Sequence, residues 1–235
     1  MERSPKAGRW SELRSHFHGA AAFRSWSIEA NDGVIATAGL LFGFAGAGAS
    51  NRVLLFTAAA ATIAGGLSVG GASWAEQAAE RDAQLLHTEQ ERHDLATDPE
   101  GELEELTRHW EDRGLRPDTA AEVARQLTEH DALAAQLEWE YEFDEPMPAS
   151  FPVSFALGAG LAYMAGAVVP LLITYFAPVD VEPRAILVAV VVALVLSSLV
   201  AARAGELTPR RMLARTLVVG VLTMVVSYLA GELLL

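Results

Sequence analysis

Acidic side chains recur at helical spacing within residues 76–148. Six of them form three pairs, three or four residues apart: Glu91 and Asp94, Glu102 and Glu105, Glu138 and Glu142. On a helix, this spacing puts both carboxylates of a pair on one face. Carboxylate oxygens suit hard divalent cations such as Fe²⁺, Mn²⁺, Mg²⁺ and Ca²⁺, and helical bundles build two-metal sites from Glu on facing helices. The spacing favours a metal site, with a solvated acidic surface as the alternative.

Further acids stand beside apolar stretches of the chain. Asp32 precedes the uncharged run 33–51, and Glu76 and Glu80 follow the uncharged run 53–75. Because an ionisable group in a membrane is costly, such a group is a functional-site hypothesis by default. For Asp32 the alternative is a helix N-cap at the interface. For Glu76 it is the first solvated turn of a helix.

Other kinds of site chemistry are poorly represented. The chain has no cysteine, which excludes disulfides, Fe–S clusters, thiolate zinc sites and cysteine catalysis. No nucleotide-binding loop, nucleophile triad or zinc motif is present, and we expect no enzyme. We expect surface or helix-packing roles, rather than metal ligation, for the histidines of the acidic segment: His87, His93, His109 and His130.

Charge and apolar content are segregated along the chain. The 235 residues carry a formal charge of −13, yet 51% are hydrophobic. Residues 76–148 hold 22 acids and 6 arginines, a net charge of −16, while the rest has a net charge of +3. The acidity argues against a nucleic-acid partner, which would need a basic patch. It suits cations instead.

Five apolar stretches flank the acidic segment: 33–51, 53–75, 149–179, 185–202 and 212–235. A bilayer core of about 30 Å needs about 20 helical residues. We therefore predict an all-α integral membrane protein with five transmembrane helices. Glycine and alanine are abundant in the first two spans, so we expect these helices to pack closely against each other or against a second subunit.

The positions of the basic residues predict the orientation in the membrane. They cluster before span one and between spans four and five: Arg3, Lys6, Arg9, Arg14 and Arg24, then Arg203, Arg210, Arg211 and Arg215. Both clusters, and the acidic segment with them, are then cytoplasmic. The expected organisation is a cytoplasmic segment 1–30, spans one and two in 31–75, a cytoplasmic metal-binding helical domain 76–148, and spans three to five in 149–235.

Proline and glycine divide the acidic segment into three predicted helices. The first continues span two through residue 96. Asp98 as N-cap and Pro99 at the first helical position begin the second, which Gly114 ends. The third is predicted from about residue 119 to 143.

Taken in order, these features resemble the vacuolar iron transporter family from residue 28 to residue 234. The most specific segments are ANDGVIAT at 30–37, DPEGELEEL at 98–106, RGL at 113–115, GAVVPLL at 166–172, and RML at 211–213 followed by Gly220. The resemblance implies five spans, a cytoplasmic metal-binding domain between spans two and three, and a dimer. It also implies movement of Fe²⁺, and often Mn²⁺, out of the cytosol in exchange for protons.

The resemblance also implies roles for individual residues. Asp32 matches the pathway acid of span one, and the cytoplasmic metal ligands match Glu91, Asp94, Glu102, Glu105 and Glu142, with Glu138 as a further ligand. One departure concerns span two, where Val69 and Ser73 stand in place of a methionine and a glutamate. Glu76, about one turn further on, is a candidate replacement in the pathway.

The expected function is therefore a dimeric, multi-pass exporter of Fe²⁺ or Mn²⁺ driven by proton exchange, with no prosthetic group. It would lie in the plasma membrane of a bacterium or in a vacuole-type membrane of a eukaryote. The alternatives are a metal-binding or sensing membrane protein that does not transport, and a membrane anchor whose acidic domain docks a protein. A metal-dependent ferroxidase is less favoured, because Glu-x-x-His pairs are absent from the acidic segment.

Overall fold

A computed structural model of the chain describes residues 20–176, 186–188, 190–195 and 209–234. The long helices in this part are α1 (Ala20–Gly46), α2 (Asn51–Thr97), α3 (Pro99–Asp112), α4 (Pro117–Tyr141), α5 (Phe151–Phe176) and α6 (Pro209–Leu234). The stretches 186–188 and 190–195 are helical as well, and the described residues contain no strand. The all-α prediction is confirmed for this part of the chain. Most of the predicted fourth span and of the segment 1–30 lies outside it.

Three of the described helices are long and apolar enough to cross a membrane. They are α2, α5 and the Leu213–Leu233 part of α6, and they match the predicted spans 53–75, 149–179 and 212–235. Span one, predicted from the uncharged run 33–51, falls mostly on α1, which begins at Ala20 and ends at Gly46 and is not among these three helices. Charged residues such as Glu29 and Asp32 lie inside this helix, because a helix need not stop where an uncharged run does.

The chain divides into two compact units, with the boundary inside α2. We call Met1–Ser73 with Phe155–Leu235 the apolar unit, and Trp74–Ser154 the acidic unit. The core of the apolar unit is a cluster of buried side chains from α1, α2, α6 and the short helical stretches: Val34, Ala38, Leu41, Leu54, Ala58, Ile186, Val190, Leu194 and Met224.

Glycines set the close packing of α1 within the apolar unit. A Cβ on Gly166 of α5 would clash with the backbone carbonyl of Ala30, and one on Gly33 would clash with that of Tyr163. A Cβ on Gly231 of α6 would likewise meet the carbonyl of Gly43, and α1 and α6 are in extensive contact. The small residues of span one therefore serve contacts with α5 and α6 of the same chain, as small residues do in membrane helix pairs.

The acidic unit has the helix ends that its sequence predicts. The Oδ1 of Asp98 accepts a hydrogen bond of 3.0 Å from the N–H of Gly101, and Pro99 occupies the first turn of α3. Gly114 follows α3 with a φ of 98°, a conformation that glycine adopts at little cost. The helices α3 and α4 pack against each other, and the unit buries four apolar side chains: Leu106, Ala120, Ala124 and Leu137.

A break in α4 was not predicted. Asp131 has extended backbone angles (φ −160°, ψ 96°) inside the helix, and its Oδ1 accepts a hydrogen bond of 3.0 Å from the N–H of Ala134. Asp131 thus caps a second helical segment, as Asp commonly does at a helix start. This segment carries the residues of α4 that take part in the site described next.

Candidate metal-binding site

Glu91 of α2 is a buried carboxylate in the acidic unit. The residue is only 2% exposed, and its Oε1 has no hydrogen-bond partner within the described structure. Burial raises the pKa of Glu91 to about 7, and the negative charges of Glu102, Glu140 and Asp94 contribute to the shift. Burying a charge without a partner is costly. Glu91 is therefore poised either to hold a proton or to bind a cation.

The first turns of α3 supply the next two carboxylates. The pKa of Glu102 is raised, first by burial and then by the negative charge of Glu105 one turn further on. A hydrogen bond between the side chains of Glu91 and Glu102 raises the pKa of Glu91 and lowers that of Glu102. A hydrogen bond between two carboxyl groups requires a proton on one of them, so the pair shares a proton.

A buried glutamine fixes α4 against this part of α3. Gln136 is 2% exposed, its Nε2 donates a hydrogen bond of 2.8 Å to the backbone carbonyl of Glu102, and its Oε1 accepts one of 2.6 Å from Nε1 of Trp139. This contact sets the rotation of α4 relative to α3. It determines which acid of α4 faces Glu91.

That acid is Glu140. Its charge raises the pKa of Glu91, and Tyr141 beside it has a pKa raised to about 12, first by burial and then by Glu140. Carboxylates from three helices thus act on Glu91 or on its partner Glu102. We call this set the carboxylate cluster: Glu91, Asp94, Glu102, Glu105 and Glu140. Four of these five are sequence-predicted ligands.

The other two predicted ligands, Glu138 and Glu142, line a different cavity of about 480 Å³. Its wall includes His109, Trp110 and Arg113, and burial together with Arg113 lowers the pKa of His109. Glu142 also caps the end of α4 in the left-handed conformation, with a φ of 63°. A wall that includes an arginine suits a cation less well than the carboxylate cluster does.

The carboxylate cluster is not a closed coordination sphere. Within the described residues, no three His, Asp or Glu side chains are grouped so that they could hold one metal ion. The acids instead surround a buried position from three helices and repel one another. A divalent cation would relieve this repulsion and replace the proton, because metal binding to a carboxylate requires its deprotonated form.

The predicted pathway acids occupy different surroundings. Asp32 lies in the interior of α1, twelve residues after its start, and is exposed, which rules out the helix N-cap alternative. The charge of Asp32 acts on the Tyr163 side chain of α5, next to the close contact at Gly33. Glu76 is an exposed residue of α2, and Val69 and Ser73 on the same helix are partly buried.

Sequence reasoning missed the α4 contribution to the carboxylate cluster. The pairing rule singled out Glu138 and Glu142, which share a face with each other but not with the buried side of α4. The sequence signal lies in Leu133, Leu137 and Glu140, whose spacing of four and three residues marks one helical face. Leu137 is fully buried, so this face lies against the rest of the acidic unit, with the exposed Glu140 one turn further on.

The chain matches a known protein family and is similar to named members of it. A model of the VIT family matches residues 23–232. The chain is similar to a vacuolar iron transporter of Acanthamoeba castellanii, with 37% identity over 142 residues, covering 59% of this chain and 51% of that protein. It is also similar to vacuolar iron transporter 2 of Oryza sativa subsp. japonica, with 30% identity over 184 residues, covering 76% of this chain and 72% of that protein.

A third relative is vacuolar iron transporter 1 of Tulipa gesneriana, with 25% identity over 165 residues, covering 69% of this chain and 66% of that protein. The chain spans about half the length of the Acanthamoeba protein and about two thirds of the tulip protein. All three relatives are named as transporters rather than enzymes, which agrees with the sequence-based expectation.

Proposed function

Because the chain belongs to the VIT family, we propose that it is a membrane transporter that binds divalent iron on the acidic unit and moves it through the apolar unit. The observation that carries this proposal is the buried Glu91, whose pKa is raised by burial and by acids of three helices and whose Oε1 has no hydrogen-bond partner among the described residues. Iron is the metal because the relatives are named iron transporters. Oxygen ligands suit Fe²⁺ and Mn²⁺ alike, so we extend the proposal to Mn²⁺.

The cluster captures the ion by exchange with a proton. Near neutral pH, Glu91 is partly protonated because its pKa is about 7. An arriving cation displaces that proton and neutralises the mutual repulsion of the acids. Metal binding therefore releases protons, and its affinity falls as the pH falls below about 7.

Asp32 is the proposed carboxylate of the membrane pathway. It lies in the interior of α1, and this helix is held against α5 by the close contact of Gly33 with the Tyr163 backbone. A carboxylate there can hold either a metal ion or a proton, which is the minimum requirement for exchange. We propose Glu76 as a second pathway acid, since Val69 and Ser73 offer neither a carboxylate nor a thioether.

The direction, the coupling and the assembly are further parts of the proposal. The basic residues of segment 1–30 and of 203–215 favour a cytoplasmic acidic unit. With metal capture on that side, we propose export from the cytosol in exchange for protons. A homodimer is supported by the apolar residues that α2 exposes, among them Phe56, Ile63 and Leu67. A second copy would cover part of this surface, and lipid would cover the rest.

Flux through proteoliposomes tests the proposal. The purified chain is reconstituted, a metal-sensitive fluorophore is trapped inside, and Fe²⁺ or Mn²⁺ is added with and without a pH gradient. We expect quenching that depends on the protein and accelerates when protons leave the vesicle as metal enters. A flux that is the same with and without the pH gradient would contradict proton exchange.

A second candidate function is metal binding without transport. The observation in its favour is that Val69 and Ser73 occupy positions of span two where the resemblance expects a methionine and a glutamate. Saturable binding by the purified chain, together with no metal flux at any pH gradient, would establish this candidate instead.

A further inference from the structure

A second buried atom without a partner lies close to Glu91 along α2. The Nδ1 atom of His87 is buried and has no hydrogen-bond partner within the described structure, as is also true of Oε1 of Glu91. A buried polar atom left unsatisfied costs about 1–3 kcal/mol. A buried polar atom of this kind commonly marks a position that binds an ion or an ordered water.

Position along the helix places the two residues together. His87 and Glu91 are four residues apart in α2, which is continuous from Asn51 to Thr97. Residues at this spacing are neighbours on one helical face. Both unsatisfied atoms thus belong to the same face, one turn apart, with Glu91 at the centre of the carboxylate cluster.

The ring of His87 also contacts α4. It stacks on the ring of Tyr141, with 4.1 Å between the centroids and 25° between the planes, and Tyr141 follows Glu140 of the cluster. Stacking covers a face of the imidazole. Stacking does not occupy the ring plane, which is the direction from which an imidazole nitrogen binds a metal, and Nδ1 in that plane is buried from solvent.

We propose that His87 is a nitrogen ligand of the metal ion bound by the carboxylate cluster, with Glu91 as its nearest oxygen partner. This inference rests on the metal binding in the proposed function, and it replaces the sequence-based expectation that His87 only packs. An ion at this position would satisfy both buried atoms at once.

A nitrogen ligand would determine which cations the acidic unit retains. Carboxylates alone bind Mg²⁺ and Ca²⁺ as well as transition metals, whereas imidazole suits iron and other transition metals and contributes little to Mg²⁺ or Ca²⁺ sites. His87 therefore makes the cluster selective for transition metals over the two most abundant divalent ions of the cell.

Pulsed electron paramagnetic resonance of bound Mn²⁺ tests the inference directly on the full chain in detergent. A nitrogen bound to Mn²⁺ gives a ¹⁴N modulation, which changes when the histidines are labelled with ¹⁵N. We expect this modulation in the wild-type chain and in His93→Phe, an exposed histidine on the same helix. We expect its loss in His87→Phe, a variant that keeps an aromatic ring to stack on Tyr141.

Calorimetry provides the second measurement on the same samples. His87→Phe should weaken Mn²⁺ binding by about tenfold or more and leave Ca²⁺ and Mg²⁺ affinities unchanged, while His93→Phe should alter none of them. Mn²⁺ bound to the wild-type chain without a nitrogen modulation would overturn the inference and leave the proposed function standing. No Mn²⁺ binding by the wild-type chain would overturn both.

Discussion

The helices of the two units come together through different kinds of contact. In the apolar unit, helices meet through glycines such as Gly33 and Gly166, where no side chain intervenes. In the acidic unit, three helices direct like charges toward the buried Glu91. The first arrangement is governed by shape and tolerates no added atom. The second is governed by charge and is incomplete without a proton or a cation, so the two units should respond to different perturbations.

The largest effect should come from adding one methyl group to the apolar unit. In Gly166→Ala, the new Cβ would meet the backbone carbonyl of Ala30, and no rotamer change can relieve a backbone clash. We expect a loss of about 3 kcal/mol in the free energy of unfolding, seen as early thermal unfolding and poor recovery in detergent.

Gly71→Ala is the matched control for that change. Gly71 also lies in a helix of the apolar unit, but a Cβ there meets nothing within 4 Å. Since alanine favours a helix over glycine by about 0.5–1 kcal/mol, this variant should be as stable as the wild type or slightly more so. Equal behaviour of the two variants would contradict the close contact between α1 and α5.

In the acidic unit, removing one charge should weaken metal binding rather than folding. Glu91→Gln keeps the shape of the side chain and eliminates the anionic ligand, so we expect Mn²⁺ affinity to fall by roughly 10- to 100-fold in calorimetry of the full chain. The control is Glu89→Gln, an exposed neighbour that pairs only with Arg92. A loss of affinity in both variants would indicate a diffuse acidic surface instead of a site.

The stability of the metal-free chain should depend on pH through the same residue. The pKa of Glu91 rises from its ordinary value of 4.5 to about 7 in the folded chain. The folded state therefore binds more protons than the unfolded state between these values, and its stability falls as the pH rises through about 7. We expect a decrease on the order of 1–3 kcal/mol between pH 5 and pH 8, measured by thermal unfolding.

Added metal and one variant separate this effect from other titrations. Saturating Mn²⁺ should restore the stability at pH 8, because the cation replaces the lost proton, and Glu91→Gln should flatten the pH dependence without metal. A dependence of the opposite sign would show that Glu91 is stabilised as a carboxylate by groups of the protein itself.

The smallest effects should distinguish two acids at the C-terminal end of α4. Glu140→Gln should weaken Mn²⁺ binding by about tenfold, since Glu140 belongs to the carboxylate cluster. Glu142→Gly should leave binding unchanged and stabilise the chain by about 1 kcal/mol, because glycine accepts the left-handed conformation without strain. Weaker binding in Glu142→Gly would restore Glu142 to the ligand set that the family resemblance implies.

Local signals along the sequence predicted much of the acidic unit. Asp98 with Pro99 and then Gly114 marked the ends of α3, because capping and positive φ are local properties. The break at Asp131 was not predicted, because helix-favouring residues on both sides of Asp131 gave no sign of an internal N-cap. Glu140 was missed for a different reason: the rotation of α4 is set by the contact of Gln136 with the Glu102 backbone, 34 residues away in sequence.

The apolar unit was predicted in outline rather than in detail. Uncharged runs located the membrane-capable helices, because bilayer thickness alone sets their length. They did not indicate where α1 begins, because the helix starts at Ala20 and includes Glu29 and Asp32, which precede the uncharged run. The sequence also did not identify which helices pack against the glycines of α1. Small residues indicate that another helix approaches closely, but they do not indicate which one.

The most direct test of the account measures binding and flux side by side in Asp32→Asn and Glu91→Gln. We predict that Asp32→Asn binds Mn²⁺ at the acidic unit like the wild type but supports no flux in proteoliposomes. Glu91→Gln should bind weakly yet recover flux when the metal concentration is raised. Undiminished flux in Asp32→Asn, or loss of binding in both variants, would contradict a chain that captures the metal in one unit and moves it through the other.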